Sequence, residues 1–198
     1  RSRETLLLCE AAGFDVILVE TGGVGPSETK VADMTDMFVL LLQPGAGDQL
    51  QGIKRGIMEL ADLVLINQAD DGREELALRS AHEYSHALQL LRPRSAEWKV
   101  EVKTCSARDN VGIDAAWDAV TRHQATLESG DRLAAVRAEQ ARAWLWSEVQ
   151  DSLVADLLDK YGTGHPISEL ENAVADGRIP ATTAAEKLLD IYLKKNES

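Results

Sequence analysis

The chain of 198 residues reads as an α/β protein: a mostly parallel sheet flanked by helices, followed by an all-helical appendage. Three observations predict this. Unbroken aliphatic runs at 16–19, 37–42 and 63–66 have no polar alternation, the mark of strands buried on both faces of a parallel sheet. Each run passes through a loop of turn formers into a segment of helical period, so strand and helix alternate as in a doubly wound sheet. From Asp131 onward no strand-like run remains.

In order, a helix is predicted over 3–12, with Leu6, Leu7, Cys9 and Ala12 on its apolar side and Gly13 as its stop. A strand follows over 15–20, then a helical segment over 29–36 carrying Val31 and Met34. The strand over 37–42 runs into a glycine-rich loop and a helix over 50–61 with Ile53, Ile57 and Leu60 inward. A strand at 63–66 leads through Asn67 and Asp70 into a helix over 74–91. Pro93 and Ser95 mark a loop before an alternating strand over 99–104, and a helix over 112–129 presents Ile113, Trp117 and Val120. The appendage holds a long helix over 134–161, a break at 162–166, and shorter helices over 167–175 and 182–194 joined through Gly177 and Pro180. The predicted division is 1–129 and 130–198.

Composition narrows the classes. Hydrophobic residues make up 44% and charged residues 27% of the chain, ordinary values for a globular protein. No apolar run approaches the roughly 20 residues of a membrane span, and no signal peptide pattern is visible. A net charge of −12 argues against a nucleic-acid surface but allows an anionic small ligand held by backbone groups. Cys9 and Cys105 stand far apart and read as buried, reduced thiols rather than a disulfide or metal pair. His82, His86, His123 and His165 have no metal-ligand neighbours at useful spacing.

Three loops carry the chemistry. Glu20, at the end of the strand predicted over 15–20, is followed by Gly22, Gly23 and Gly25, which let backbone N–H groups approach a phosphate. Glu20 is placed to hold a water on Mg²⁺ or orient the hydrolytic water, and Gly23 to give its N–H to a γ-phosphate. The plain alternatives are an exposed strand-end carboxylate and a turn glycine. Asn67-x-x-Asp70 follows a buried strand. Its carboxylate suits the paired N1–H and N2–H donors of guanine, and adenine lacks that pair. Asn67 is placed to tie neighbouring loops, and Ser106-Ala107 to present a backbone N–H to guanine O6. NxxD alone is often only turn chemistry; the ordered set of three strand-ending loops is what gives the reading weight.

The segments GFDVILVETGGVGPSE, FVLLLQPGAGDQLQGIKRGIMELADLVLINQAD, Ser106-Ala107-Arg108 and Trp144-Leu145-Trp146 resemble the MeaB/ArgK family of GTPases associated with methylmalonyl-CoA mutase, over nearly the whole chain. The resemblance implies a P-loop NTPase-like fold and a GTPase binding GTP or GDP with Mg²⁺. It implies Asn67, Gln68, Asp70, Ser106, Ala107 and Arg108 at the base, and Glu20 and Gly23 at the γ-phosphate, Glu20 reaching Mg²⁺ through water. It also implies a homodimer through the C-terminal helices, gating adenosylcobalamin delivery to a B12-dependent acyl-CoA mutase. Asp48, Gln51 and Lys54 then become candidates for relaying nucleotide state to that partner; for Lys54 and Arg55 the bland alternative is a solvated helix face. The implied place is the bacterial cytoplasm, or the mitochondrial matrix in a eukaryote.

The sequence departs from the pattern. No GxxxxGK[ST] occurs, so the loop that wraps α- and β-phosphates is lacking, and the chain reads as part of a longer, N-terminally truncated G domain. These residues alone are expected neither to bind GTP tightly nor to hydrolyse it. Gln68 stands where the family has a basic residue, Gly22 for a β-branched one and Pro26 for a glutamine. The competing readings are a non-hydrolysing G domain that serves as a mutase-binding partner, and an ATPase for basic amino-acid transport, which Asp70 opposes.

Overall fold

The computed structural model describes residues 2–21, 30–45, 55–91, 94–95, 97–162 and 165–196. Its centre is β2 (Leu63–Ile66), whose four residues are all buried. On one side β2 pairs in parallel with β1 (Val39–Leu42), and on the other with β3 (Glu101–Thr104), giving the order β1-β2-β3. The register sets Val39 opposite Leu63 and Leu63 opposite Glu101. Alternate side chains of β2 enter different cores, as the pleat requires. Val64 and Ile66 pack with Leu40, Ile57, Met58, Ala77 and Tyr84, while Leu63 and Leu65 pack with Cys105, Ala116 and Ala119.

Helices supply both faces. α1 (Ser2–Ala11) opens the chain, α2 (Arg55–Leu60) precedes β2, α3 (Glu74–Gln89) joins β2 to β3, and α4 (Ile113–Glu128) follows β3. The aliphatic run of β2 thus behaves as a strand buried on both sides, with crossover helices covering it.

The strand expected over 15–20 is not one. Residues 16–20 enter no β-ladder, and Val16 and Leu18 are exposed. An aliphatic run favours a strand only where a neighbour takes its N–H and C=O groups, and among the described residues β1 pairs only with β2. The strand expected over 37–42 begins two residues later, because the Asp62 side chain takes the Phe38 N–H at 2.8 Å. On α4 the inward stripe is Ala116, Ala119 and His123, whereas Ile113 and Trp117 are exposed; small residues let the helix lie close to the sheet. Cys9 is only partly buried, while Cys105 is buried.

Gly112 caps α4 with φ +75°, and a Cβ there would sit 2.6 Å from the Thr104 carbonyl oxygen. Only glycine fits, so α4 turns back directly beneath the end of β3.

The chain separates into two compact units, Arg1–Gln140 and Ala141–Ser198. α5 (Arg132–Tyr161) runs through the division. In the first unit its start is held by Arg137, paired with Asp36 at 2.6 Å and Glu10 at 3.0 Å, and by Gln140 on the Thr35 carbonyl. In the second, α6 (His165–Ala175) packs on α7 (Ala181–Asn196), burying Ile167, Ala173 and Ala184. Tyr192 donates to Asp156 at 2.7 Å and Tyr161 to the Ile191 carbonyl at 3.1 Å.

Candidate functional site

Parallel pairing of β2 with β3 brings two loops side by side at the carboxyl ends of the strands, where open α/β sheets bind ligands. The Cys105 N–H bonds to the Ile66 carbonyl at 2.9 Å, and the Ala69 N–H to the Cys105 carbonyl at 3.0 Å. Asn67 then stitches the loops together, its Oδ1 accepting the Ala107 N–H at 3.0 Å. Asn67 thus ties the two loops, and neither N–H of Ser106-Ala107 is left to face guanine O6 as expected: Ala107 gives its own to Asn67 and Ser106 to the Val111 carbonyl. Ser106 and Val111 exchange backbone hydrogen bonds at 2.9 and 3.1 Å and close the loop between them.

Asp70 sits at the centre and is 5% exposed. Ser106 Oγ donates to its Oδ2 at 2.5 Å and itself accepts the Asp109 N–H at 3.0 Å. Arg73 Nη2 donates to Asp70 Oδ1 at 3.2 Å, and Arg108 Nη2 lies 3.8 Å from the same oxygen. A carboxylate offers roughly four acceptor directions. Ser106 and Arg73 take one each, and the rest suit the two parallel N–H donors of a 2-amino-6-oxopurine. The guanine edge therefore fits the residues present.

Charge surrounds this carboxylate. Arg108 bonds to Asp71 through both terminal nitrogens and to Asp109 through Nε at 2.9 Å. Those bonds, with Asp71 first and Asp109 second, raise the Arg108 pKa further above its ordinary value. They hold the Asp71 and Asp109 carboxyls below the usual range. Burial pushes the Cys105 thiol up, in keeping with a packing role.

The structure thus gathers Asn67, Gln68, Asp70, Ser106, Ala107 and Arg108. Glu20 is an exposed residue after the unpaired run 16–19 rather than the end of a sheet strand. Gly23, Asp48, Gln51 and Lys54 lie outside the described residues. Gly45, at the start of the segment carrying the last three, gives its N–H to Ser80 of α3 at 3.1 Å. Among the described residues no group of three or more His, Cys, Asp or Glu is placed to hold a metal ion, and no helix is long and apolar enough to cross a membrane.

Sequence reasoning missed Asp71, Arg73 and Asp109. The signal was Asp71-Gly72, a dipeptide that favours two positive φ angles in a tight turn. Asp71 has φ +51° and Gly72 φ +78°, and the Arg73 N–H closes the turn on the Asp70 carbonyl at 3.0 Å. A cavity of about 250 Å³ lined by Met58, Leu88, Leu91, Arg94 and Lys99 lies near the amino ends of β2 and β3, away from these loops.

Comparison with known proteins finds similarity to GTPases over most of the chain. The profile described as "Methylmalonyl Co-A mutase-associated GTPase MeaB" matches residues 1–161. The chain is 45% identical over 157 residues to GTPase ArgK of Escherichia coli K12, covering 79% of this chain and 47% of that protein. It is 42% identical over 195 residues to the mouse methylmalonic aciduria type A homolog, mitochondrial, covering 98% of this chain and 47% of that protein. The crystal structure of an LAO/AO transport system kinase superposes with a TM-score of 0.81 at 36% identity, covering 97% of this chain and 62% of that one. The chain spans about half the length of these two curated relatives. With the family's profile matched over residues 1–161, the chain belongs to the MeaB family of methylmalonyl-CoA mutase-associated GTPases.

Proposed function

We propose that this chain supplies the base-reading half of a GTP-binding and GTP-hydrolysing metallochaperone that gates adenosylcobalamin loading onto a B12-dependent acyl-CoA mutase. The observation that carries the reading is Asp70, buried beside Ser106, with acceptor capacity left for two donors in one plane. Asn67 holds the adjoining loop against it. Adenine would leave that carboxylate unmatched, which disfavours an ATP-driven kinase or transport role.

Within this proposal Glu20 bears on Mg²⁺ through water and Gly23 on the γ-phosphate, while Asp48, Gln51 and Lys54 relay nucleotide state to the mutase. Mg²⁺ supplies charge neutralisation of the phosphates during transfer. The location that goes with this activity is the cytoplasm, or the mitochondrial matrix in a eukaryote; the mouse relative is described as mitochondrial. The 198 residues contain no GxxxxGK[ST], so by themselves they are expected neither to bind GTP tightly nor to hydrolyse it; the alternative reading is a non-hydrolysing G domain that binds the mutase.

The test is Asp70→Asn in the longest natural form of the protein. Losing two bonds to a charged acceptor lowers GDP affinity about 100-fold, while the new amide N–H favours xanthosine diphosphate, whose second carbon bears an oxygen. Titration showing equal GDP and ADP affinity in the parent protein would defeat the reading. The homodimer is supported by apolar side chains that α5 leaves exposed in the second unit, among them Trp146, Leu153 and Leu158. Light scattering is expected to give twice the chain mass, and Trp146→Glu the single mass; a parent protein of single mass sinks the dimer.

A further inference from the structure

We propose that Arg73 is the positioning residue of the base subsite. Its one guanidinium holds Gln68 and Asp70 together, so that Asp70 meets both donors of a 2-amino-6-oxopurine at once. The inference rests on the guanine reading above and names what makes that reading selective.

The tight turn through Asp71 and Gly72 brings Arg73 back alongside Asp70. From there Nη1 donates to Gln68 Oε1 at 3.0 Å and Nη2 to Asp70 Oδ1 at 3.2 Å. Gln68 is held at φ +63°, a conformation a non-glycine residue keeps only where its surroundings over-determine it. Arg108 also reaches toward Asp70, at 3.8 Å, but its shorter bonds go to Asp71 and Asp109. Arg73 is therefore the cation hydrogen-bonded to the base-reading carboxylate, and Gln68, being neutral, brings no charge of its own.

A carboxylate turns broadly about its terminal torsion unless both oxygens are held. Ser106 fixes Oδ2 and Arg73 fixes Oδ1. With the plane set, two parallel acceptors face the base, the geometry a bidentate contact needs. Without Arg73 the carboxylate can still take one N–H while losing alignment with the second. Guanine and hypoxanthine differ only in the exocyclic amino group that makes this second bond. The clamp therefore governs selection between them more than affinity for either.

The experiment measures dissociation constants of GDP and inosine diphosphate for the longest natural form of the protein, for Arg73→Ala and for Arg73→Lys. The parent protein is expected to favour GDP. Arg73→Ala is expected to reduce that GDP-over-IDP ratio about 3- to 10-fold, the size of a charge-assisted bond from a half-exposed donor. Arg73→Lys restores the charge but not the two-point bridge, and recovers less than half of the lost ratio. A merely structural role would weaken both nucleotides together; an unchanged ratio in Arg73→Ala overturns the proposal even if affinity drops. If the parent protein itself fails to prefer GDP over ADP, the guanine reading falls and this proposal with it, so the two failures are told apart.

Discussion

β2 has a buried aspartate at each end, Asp62 just before it and Asp70 just after, at 6% and 5% exposure. By burial the two are alike. By partners they are opposites. Asp62 accepts the Phe38 N–H, its own carbonyl takes the Trp98 indole N–H at 2.7 Å, and its side chain faces Arg94 at 3.6 Å and His123 at 3.8 Å. Arg94 in turn bonds to the Ala32 carbonyl, and the Trp98 ring stands edge-on to His123 at 4.9 Å. Apart from the Arg94 ion pair, these ties run to backbone and to packed rings. The partners of Asp70 are a buried hydroxyl and two guanidiniums on half-exposed arms, and those arms are able to turn without disturbing the sheet. In the reading proposed for Asp70, movable arginine partners leave the carboxylate able to meet a ligand. Where the partners are fixed backbone and rings, as at Asp62, the carboxylate marks a structural joint.

The largest effect expected from that contrast is on stability. Asp62→Ala strands the Phe38 N–H and leaves Arg94 facing an emptied site, and removal of one member of such a buried set costs about 3 kcal/mol. Asp70→Ala releases the half-exposed Arg73 to water and leaves one buried hydroxyl, Ser106, without its acceptor, so its cost is about 1 kcal/mol. Urea denaturation of the two variants against the parent chain measures both. Equal losses at the two ends would erase the distinction between joint and site.

The same contrast shows what was legible in the sequence. The aliphatic run of β2 and the turn residues after it located Asn67 and Asp70, and the alternating strand over 99–104 located Ser106, because loops at strand ends carry their polar residues at readable positions. Asp62 could not be read this way. It is one acidic residue beside an apolar run, and its worth comes from Arg94, Trp98 and His123, which lie 32, 36 and 61 residues away by number. Arg73 was hidden for a related reason, since a basic residue at the start of a helix reads as a solvated surface group until the turn at Asp71-Gly72 folds it onto Asp70. The run 16–19 misled in the other direction. Its composition asks for a ladder, and whether a ladder forms depends on a neighbouring strand, which no property of the run itself reveals.

A smaller effect, and the sharpest check on the joint, is its response to pH. Burial lowers the His123 pKa from the usual 6.5, outweighing the opposing pull of Asp62; Arg94 lowers it further and Asp36 raises it. Burial also raises the Asp62 pKa, against the Phe38 N–H and the Arg94 and His123 charges. The signs oppose each other. Below pH 6.5 the unfolded chain protonates His123 while the folded chain does not, so this contribution is complete above 6.5 and is lost as pH falls toward the folded value. Asp62 takes its proton in the folded chain first, which returns stability at lower pH, down to its unfolded value of 3.8. The joint is therefore expected to weaken on mild acidification and recover below it, with a slope bounded by about 1.4 kcal/mol per pH unit for one proton. Urea midpoints of the parent chain and His123→Gln, compared from about pH 7.5 to about pH 5, isolate the term: the parent loses stability relative to the variant as pH drops through 6.5. A difference that stays flat across that interval would show that His123 accepts its proton in the folded chain as readily as in the unfolded one, and that the Asp62 end is as yielding as the Asp70 end.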